Sequence, residues 1–311
     1  SDEATIGGAI ATNAFGPRRF GHGTLRDYLI GLTAVDAGGR IFHAGGRVVK
    51  NVAGYDLCKL LVGSWGTLAV LTQVTLKVVP IPEVIACVWS TWDSATELDA
   101  ALASLNTSVT RPIALEILNH TAIKHVNPSL NFELPKSSLA LAVLVAGSAA
   151  DVTWQTQNLV EELKAHSPTH TVTLEDAVAE KLLQTLTENS ISTSVLSFRA
   201  HLLPSRVMEF VTMASEAGCS VQSHAGNGIV MAHAPDDVVS ADRALQLIQP
   251  LRQWVESQGG SLVIQRCPAD WKTQVSVFGS EPSAWPLMKN LKHSLDPHNL
   301  LCPGRLFASE G

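Results

Sequence analysis

Three stretches of this 311-residue chain hold residues whose types and spacing could do chemistry. The first, TIGGAIATNAFGPRRFGHGTLRDYL (residues 5–29), sets glycines beside an arginine pair and an early aspartate. Glycine permits positive φ and close backbone approach, so the stretch reads as a turn-rich connector or as a surface moulded to a ligand. In the second, NVAGYDLCKLLVGSWGTLAVLT (51–72), Gly63 and Gly66 precede a strand. Their amides could face a ligand, or the segment could be a tight helix-to-strand turn. The third, SHAGNGIVMAH (223–233), puts His224 beside Gly-Asn-Gly. Asn-Gly is a strong hairpin signal; His224 is a candidate metal ligand or base, set against a plainer reading as a residue flanking a turn.

Two further segments carry cationic side chains. In SVLSFRAHL (194–202), Arg199 and His201 alternate with Leu196, Phe198 and Ala200, so they project from one strand face. Arg266, in GGSLVIQRCPADWK (259–272), could hold a carboxylate in bidentate fashion. The plainer reading is a solvated sheet face or a partner contact, because charged residues are mostly exposed. A Walker loop, GxGxxG, GxSxG and HExxH are all missing from the chain. No CxxC spacing exists, so an iron–sulfur ligand set is not expected.

Elements must position these residues. The 46% hydrophobic content is ample for a core, and 16% charge is too low for disorder. A net charge of −6 without basic runs argues against nucleic acid or an anionic membrane surface as partner. No apolar run is long enough for a spanning helix, and SDEATIGG lacks the basic start and apolar stretch of a signal peptide. The five scattered cysteines read as reduced thiols, so a cytoplasmic chain is expected, at a membrane only through partner subunits. Asn106 and Asn119 open formal glycosylation sequons that read as chance.

LTAVDAGGRIFHAGG reads as two strands around a turn. GTLAVLTQVTLKVVP alternates, with Val70, Thr72, Val74, Leu76 and Val78 on one face, until PIPE stops it. A helix starting at the Ser94–Glu97 capping box follows a strand at 84–90. Strands are expected at 113–118, 139–146 and 171–174 around a helix at 151–166, then a linking helix at 176–188. The order repeats with strands at 194–203, 219–224, 229–235 and 261–265 and helices at 205–217 and 237–257. Both halves read βαββαβ, the ferredoxin-like order, and two such units side by side would make one antiparallel sheet backed by helices. The expected division is 1–82, 83–268 and a tail helix and turn at 269–311.

Taken together, ATIGGAIATNAFGPRRFGHGTLRDYLIG, KNVAGYDLCKLLVGSWGTLAVLTQVTLKVVP and LDPHNLLCPGRLF resemble the vanillyl-alcohol-oxidase (PCMH) type of FAD-binding proteins. Within it they are most similar to the branch of FAD-binding (E) subunits of bacterial glycolate oxidases, through the Gly-Pro-Arg-Arg run at 16–19, the Lys50–Asp56 segment and the closing Pro-Gly-Arg. The resemblance implies an α+β chain: part of a PCMH-type FAD-binding domain, then a cap domain of two ferredoxin-like units. It implies FAD as cofactor, with the Thr-Ile-Gly-Gly loop against the flavin ring. By matching positions Thr5, Ile6, Gly7, Gly8, Asn13, Gly16, Gly21 and Thr24 line the flavin, and Gly63, Gly66, Ala69 and Val70 meet it from the second stretch.

Departures from the family pattern shape the expected function. Relative to the family, the chain starts about half-way through the FAD domain, without the glycine-rich pyrophosphate loop, which weakens the expected hold on FAD. Members acting on 2-hydroxy acids carry a His-Ala-Gly-Asp-Gly-Asn-Leu-His-like motif whose histidines bind a metal; here Asn227 and Met231 replace the Asp and the second His. A thioether is a poor ligand for a hard cation. Gln265, Arg266 and Cys267 stand where a Gly-Glu-His segment is usual, and Cys302 where an Asn is usual. The resemblance therefore implies an accessory FAD-binding subunit working with a catalytic flavoprotein subunit and an iron–sulfur subunit. The alternatives are an interaction module without FAD, a fragment of an intact FAD-binding subunit, and an independent 2-hydroxy-acid dehydrogenase.

Overall fold

A computed structural model describes residues 4–48, 54–130, 132–189 and 194–307. Residues 50–53 of the Lys50–Asp56 segment lie outside the described residues. The chain divides into two compact units. The first comprises residues 1–15, 23–81 and 281–311; the second comprises 16–22 and 82–280.

The opening glycine stretch is a helix rather than a loop: α1 (Ile6–Thr12) is N-capped by Thr5, whose Oγ1 accepts the Gly8 amide at 3.0 Å. Asn13 ends it in the left-handed region, φ 48°. Two single-turn helices follow, α2 (Arg19–His22) in the second unit and α3 (Leu25–Tyr28) in the first. Strands β1 (Leu29–Val35) and β2 (Ile41–Gly45) form the expected hairpin. Asp36 Oδ1 accepts the amides of Gly38 and Arg40 to close its loop. After α4 (Leu57–Leu61), strand β3 (Val70–Leu76) completes a sheet ordered β2-β1-β3.

The period-2 reading of β3 fails half-way along. Thr33 pairs with Gln73 but Ala34 pairs with Leu71, so Thr72 is an extra residue in a bulge. The phase shifts there. Leu71 packs toward the core before the bulge and Val74 and Leu76 after it, while Val70 and Val78 are exposed.

In the second unit, β4 (Val84–Trp92) leads into α5 (Ala95–Leu105), whose N-cap Ser94 accepts the Glu97 amide. Then come β5 (Ala114–Asn119), α6 (His120–Val126), β6 (Leu139–Gly147), α7 (Ala149–Lys164), β7 (His170–Glu175) and α8 (Asp176–Glu188). The second half holds β8 (Ser197–His201), α9 (Val207–Glu216), β9 (Ser220–His224), β10 (Ile229–His233), α10 (Ala241–Ser257) and β11 (Ser261–Arg266). The eight strands lie in the order β11-β8-β10-β9-β5-β6-β4-β7, every pairing antiparallel. Each half has the ferredoxin-like order, and the halves join edge to edge at β9 and β5. The fold is α+β, with an antiparallel sheet backed by helices.

Helix α6 was not anticipated. Its N-cap, Asn119, is buried, accepts the amides of Ala122 and Val221 and donates to Ser215 Oγ and the Cys219 carbonyl. Its sequon is thus a structural junction. One sheet face packs Phe198, Ala200, Val230, Val221, Ile117 and Leu141 under α5, α7, α9 and α10. The other face carries a second core under α6 and α8, built on Trp89, Leu118, Ala140 and Ala142.

Helix α11 (Trp285–Leu295) sets Leu291 and Leu295 against the first unit's core, with residues 269–280 assigned to the second unit instead. Residues 16–22 also depart from the expected division. Gly21 donates its amide to the Ile113 carbonyl at 3.0 Å, and a Cβ on it would stand 2.6 Å from Ile113 Cα. No helix among the described residues is long and apolar enough to cross a membrane.

Candidate functional site

In the first unit the glycine-bearing stretches and the tail converge. The turn after α4 runs with positive φ at Gly63, Trp65 and Gly66. The Gly63 amide donates to the Ile10 carbonyl at 3.1 Å and the Trp65 amide to Ala11 at 2.7 Å, which docks the turn on the end of α1. These bonds consume the Gly63 and Trp65 amides, and Thr5 consumes that of Gly8, so Gly63 and Gly8 contribute close approach rather than donors. A Cβ at Gly63 would sit 3.6 Å from Asn13 Cβ, and one at Gly66 3.3 Å from Cys302 Sγ. Cys302 opens a turn through Pro303 and Gly304 (φ 71°), closed by the Arg305 amide on the Cys302 carbonyl.

Beneath this turn Lys292 of α11 donates to the Thr67 carbonyl at 3.0 Å, the Leu301 carbonyl at 2.9 Å and Asp296 Oδ2. Asp296 accepts the amides of Leu300 and Leu301 as well. Burial opposes its ionisation, yet the bonds from Lys292, Leu301 and Leu300 outweigh that and hold its carboxyl below the usual range.

Of the residues assigned to the flavin by resemblance, Thr5, Ile6, Gly7, Gly8, Asn13, Thr24, Gly63, Gly66, Ala69 and Val70 fall in this unit. Ile6 and Val70 are exposed apolar side chains, whereas Ala69 is buried in the core. Thr24 is committed to capping α3 through Asp27. Gly16 and Gly21 fall in the second unit, where Thr187 and Ile113 fill the space their missing Cβ atoms leave. The fit to a flavin rests on two features. Asn13 Oδ1 is a buried acceptor with no partner among the described residues, and a Cβ on Gly7 would meet nothing nearer than the Leu71 carbonyl at 4.0 Å. An N–H of a flat heterocycle would satisfy the first and the ring face would cover the second.

In the second unit, Arg199, His201, His224 and Arg266 share one sheet face by register. His201 lies opposite Ile229, which lies opposite His224; Arg199 lies opposite Met231. Burial, then the charges of Arg199 and Arg19, push the His201 pKa down to about 4. Burial and the Arg19 charge lower that of Arg199. Arg19 reaches this face because Phe20 packs on Gly226, where a Cβ would come within 2.1 Å of the ring. Arg266 stands opposite Ser197, toward His233, whose pKa burial pushes down to about 4.

His224 is held inside the sheet. Its Nδ1 donates to Glu116 Oε1 at 2.5 Å, and Gln222 Nε2 donates to Glu116 Oε2 at 2.7 Å and to the Leu186 carbonyl. The loop it precedes is a hairpin with Gly228 at φ 66°. Among the described residues no group of three or more His, Cys, Asp or Glu could hold a metal ion.

Glu116 and Lys292 went unnoticed in the sequence, and Arg19 and Asp296 were read only as parts of the Gly-Pro-Arg-Arg run and the LDPHNLLCPGRLF tail. A single carboxylate inside the apolar strand ALEILN was a readable signal for a buried partner; so was the i,i+4 spacing of Lys292 and Asp296.

The FAD linked oxidases, C-terminal domain, match residues 81–237 and 278–306, and the FAD binding domain matches 1–45. The chain belongs to the FAD-linked oxidases. Its cofactor is FAD. It is 28% identical to glycolate oxidase subunit GlcD of Bacillus subtilis (strain 168), across 99% of this chain and 69% of that protein. Glycolate oxidase subunit GlcE of Escherichia coli (strain K12) is 48% identical over 81 residues, 26% of this chain and 23% of that one. D-lactate dehydrogenase of Archaeoglobus fulgidus is 41% identical over 40% of this chain and 28% of its own length. A solved structure of alkyldihydroxyacetonephosphate synthase shares the fold, with a TM-score of 0.60 at 15% identity; this chain covers 57% of it.

Proposed function

We propose that this chain is an accessory FAD-binding subunit of an assembly that oxidises a 2-hydroxy acid such as glycolate. The observation that carries the reading is a contrast between the two units. The flavin-side turn keeps its glycines, and Asn13 at the end of α1 offers an acceptor with no partner among the described residues. On the sheet face His224 is tied to Glu116 inside the protein and Met231 stands beside Arg199. Bound FAD supplies the two-electron acceptor. Asn13 Oδ1 would accept an N–H of the ring, Gly7 and Gly63 would leave room for its face, and Ile6 and Val70 would cover it.

Arg199, with Arg19 close by, gives the sheet face a desolvated positive charge suited to a carboxylate. His201, neutral at pH 7, contributes a hydrogen bond rather than charge. The partners in this reading are a catalytic flavoprotein subunit and an iron–sulfur subunit. It finds support in the similarity to proteins named as glycolate oxidase subunits.

Anaerobic titration of the FAD-loaded chain with glycolate or D-lactate tests the accessory role. The flavin band should stay oxidised with the chain alone and bleach once the catalytic subunit is added. Bleaching by the chain alone at a turnover-competent rate would overturn it.

A further inference from the structure

We propose that Lys292 is a positioning residue for the flavin-facing turn, a reading that rests on the flavin assignment above. An ammonium has three N–H groups, and all three are used on acceptors from different segments. The Thr67 carbonyl belongs to the turn after Gly66, the Leu301 carbonyl to the tail beside Cys302, and Asp296 to the end of the same helix. Lys292 is 9% exposed and Asp296 2%, so the group is largely shielded from water.

The consequence is geometric. Gly66 at φ 71° and Cys302 at φ 44° are brought close enough that a Cβ on the glycine would lie 3.3 Å from the sulfur. Thr67 and Leu301, next in sequence to these two, are the residues whose carbonyls Lys292 holds. The two left-handed residues face each other with one cation bound to the neighbour of each. Arg305 adds a second tie, its guanidinium 5.3 Å from the Trp65 ring centre. The planar guanidinium of an arginine at 292 would not reproduce three divergent donors, and a methionine leaves three acceptors unmet. FAD affinity, more than overall stability, should depend on this ammonium.

The test uses the full chain as wild type, Lys292→Ala, Lys292→Arg and the double variant Lys292→Met/Asp296→Leu. The double change removes the carboxylate that would otherwise be left buried and unpaired, at the cost of the acceptor that the Leu300 and Leu301 amides use, so melting is measured beside affinity. FAD affinity is measured by flavin fluorescence quenching, melting by circular dichroism, and amide exchange on the flavin-free proteins. The double variant should melt below wild type but stay folded at the assay temperature, lose at least about tenfold in FAD affinity, and exchange faster only at 63–67 and 296–305. Propylammonium chloride should restore affinity to Lys292→Ala where equal sodium chloride does not, and Lys292→Arg should recover only part.

Unchanged FAD affinity in the double variant, with a wild type that binds, would overturn the proposal alone. Faster exchange across the whole chain would also overturn it, because the role would then be general stability. A wild type that binds no FAD would instead overturn the flavin assignment, and the proposal with it.

Discussion

Removing Glu116 should unpick the seam between the two halves of the large sheet. The carboxylate is fully buried, and its oxygens take hydrogens from His224 at 2.5 Å and Gln222 at 2.7 Å, where β5 meets β9. Glu116→Leu leaves both donors without that acceptor in a place that water does not reach. Gln222 keeps the Leu186 carbonyl at 3.0 Å, so His224 bears most of the loss. A buried donor left without its acceptor costs about 1–3 kcal/mol.

For a unit of this size each kcal/mol moves the melting temperature by about 2–4 °C. A fall of roughly 2–12 °C follows. Glu116→Gln keeps one acceptor and should cost less than Glu116→Leu. Glu116→Leu/His224→Leu removes the unmet donor as well, so it should cost less than the two single changes added, with a coupling of at least about 1 kcal/mol. Urea unfolding of the four proteins measures this. A Glu116→Leu variant within about 0.5 kcal/mol of wild type, or strictly additive single changes, would refute the reasoning.

Other parts of the structure make further predictions. Gly21→Ala and Gly226→Ala press a methyl to 2.6 Å from Ile113 Cα and 2.1 Å from Phe20. Each should cost about 1–3 kcal/mol in urea unfolding, whereas Gly46→Ala, with nothing within 4 Å, should stay within about 0.5 kcal/mol. Burial pushes the pKa of His201 and His233 down to about 4 from the ordinary 6.5. The unfolded chain therefore takes up their protons first, and stability present above pH ~6.5 is lost as pH falls toward ~4, by up to about 3 kcal/mol per histidine. Replacing both with Gln should flatten that slope in pH-dependent melting. Arg199→Gln removes one positive neighbour of His201 but not its burial, so its pKa should rise only part-way from about 4 in an NMR titration.

Local signals carried much of the fold. Ser94 caps α5 as its spacing with Glu97 implies, and the two βαββαβ runs form the two halves of the sheet. Local periodicity failed where a single extra residue intervened: the bulge at Thr72 turned Val70 outward and Leu71 inward. Pairings between distant segments left little local trace. Glu116 and His224 are 108 residues apart, and Lys292 and Thr67 are 225 apart. Glycine content marked backbone that must approach something closely, but not what it approaches. At Gly21 and Gly226 it is the protein itself, whereas a Cβ added at Gly7 would meet only the Leu71 carbonyl, at 4.0 Å.

The most direct test of the account is the visible absorption spectrum of the purified chain, before FAD is added and after loading and desalting. The account predicts a flavin band that survives desalting and is lost when Asn13, Gly63 and Gly66 are replaced together by Ala, Val and Val. A wild-type chain that stays colourless after loading would contradict it.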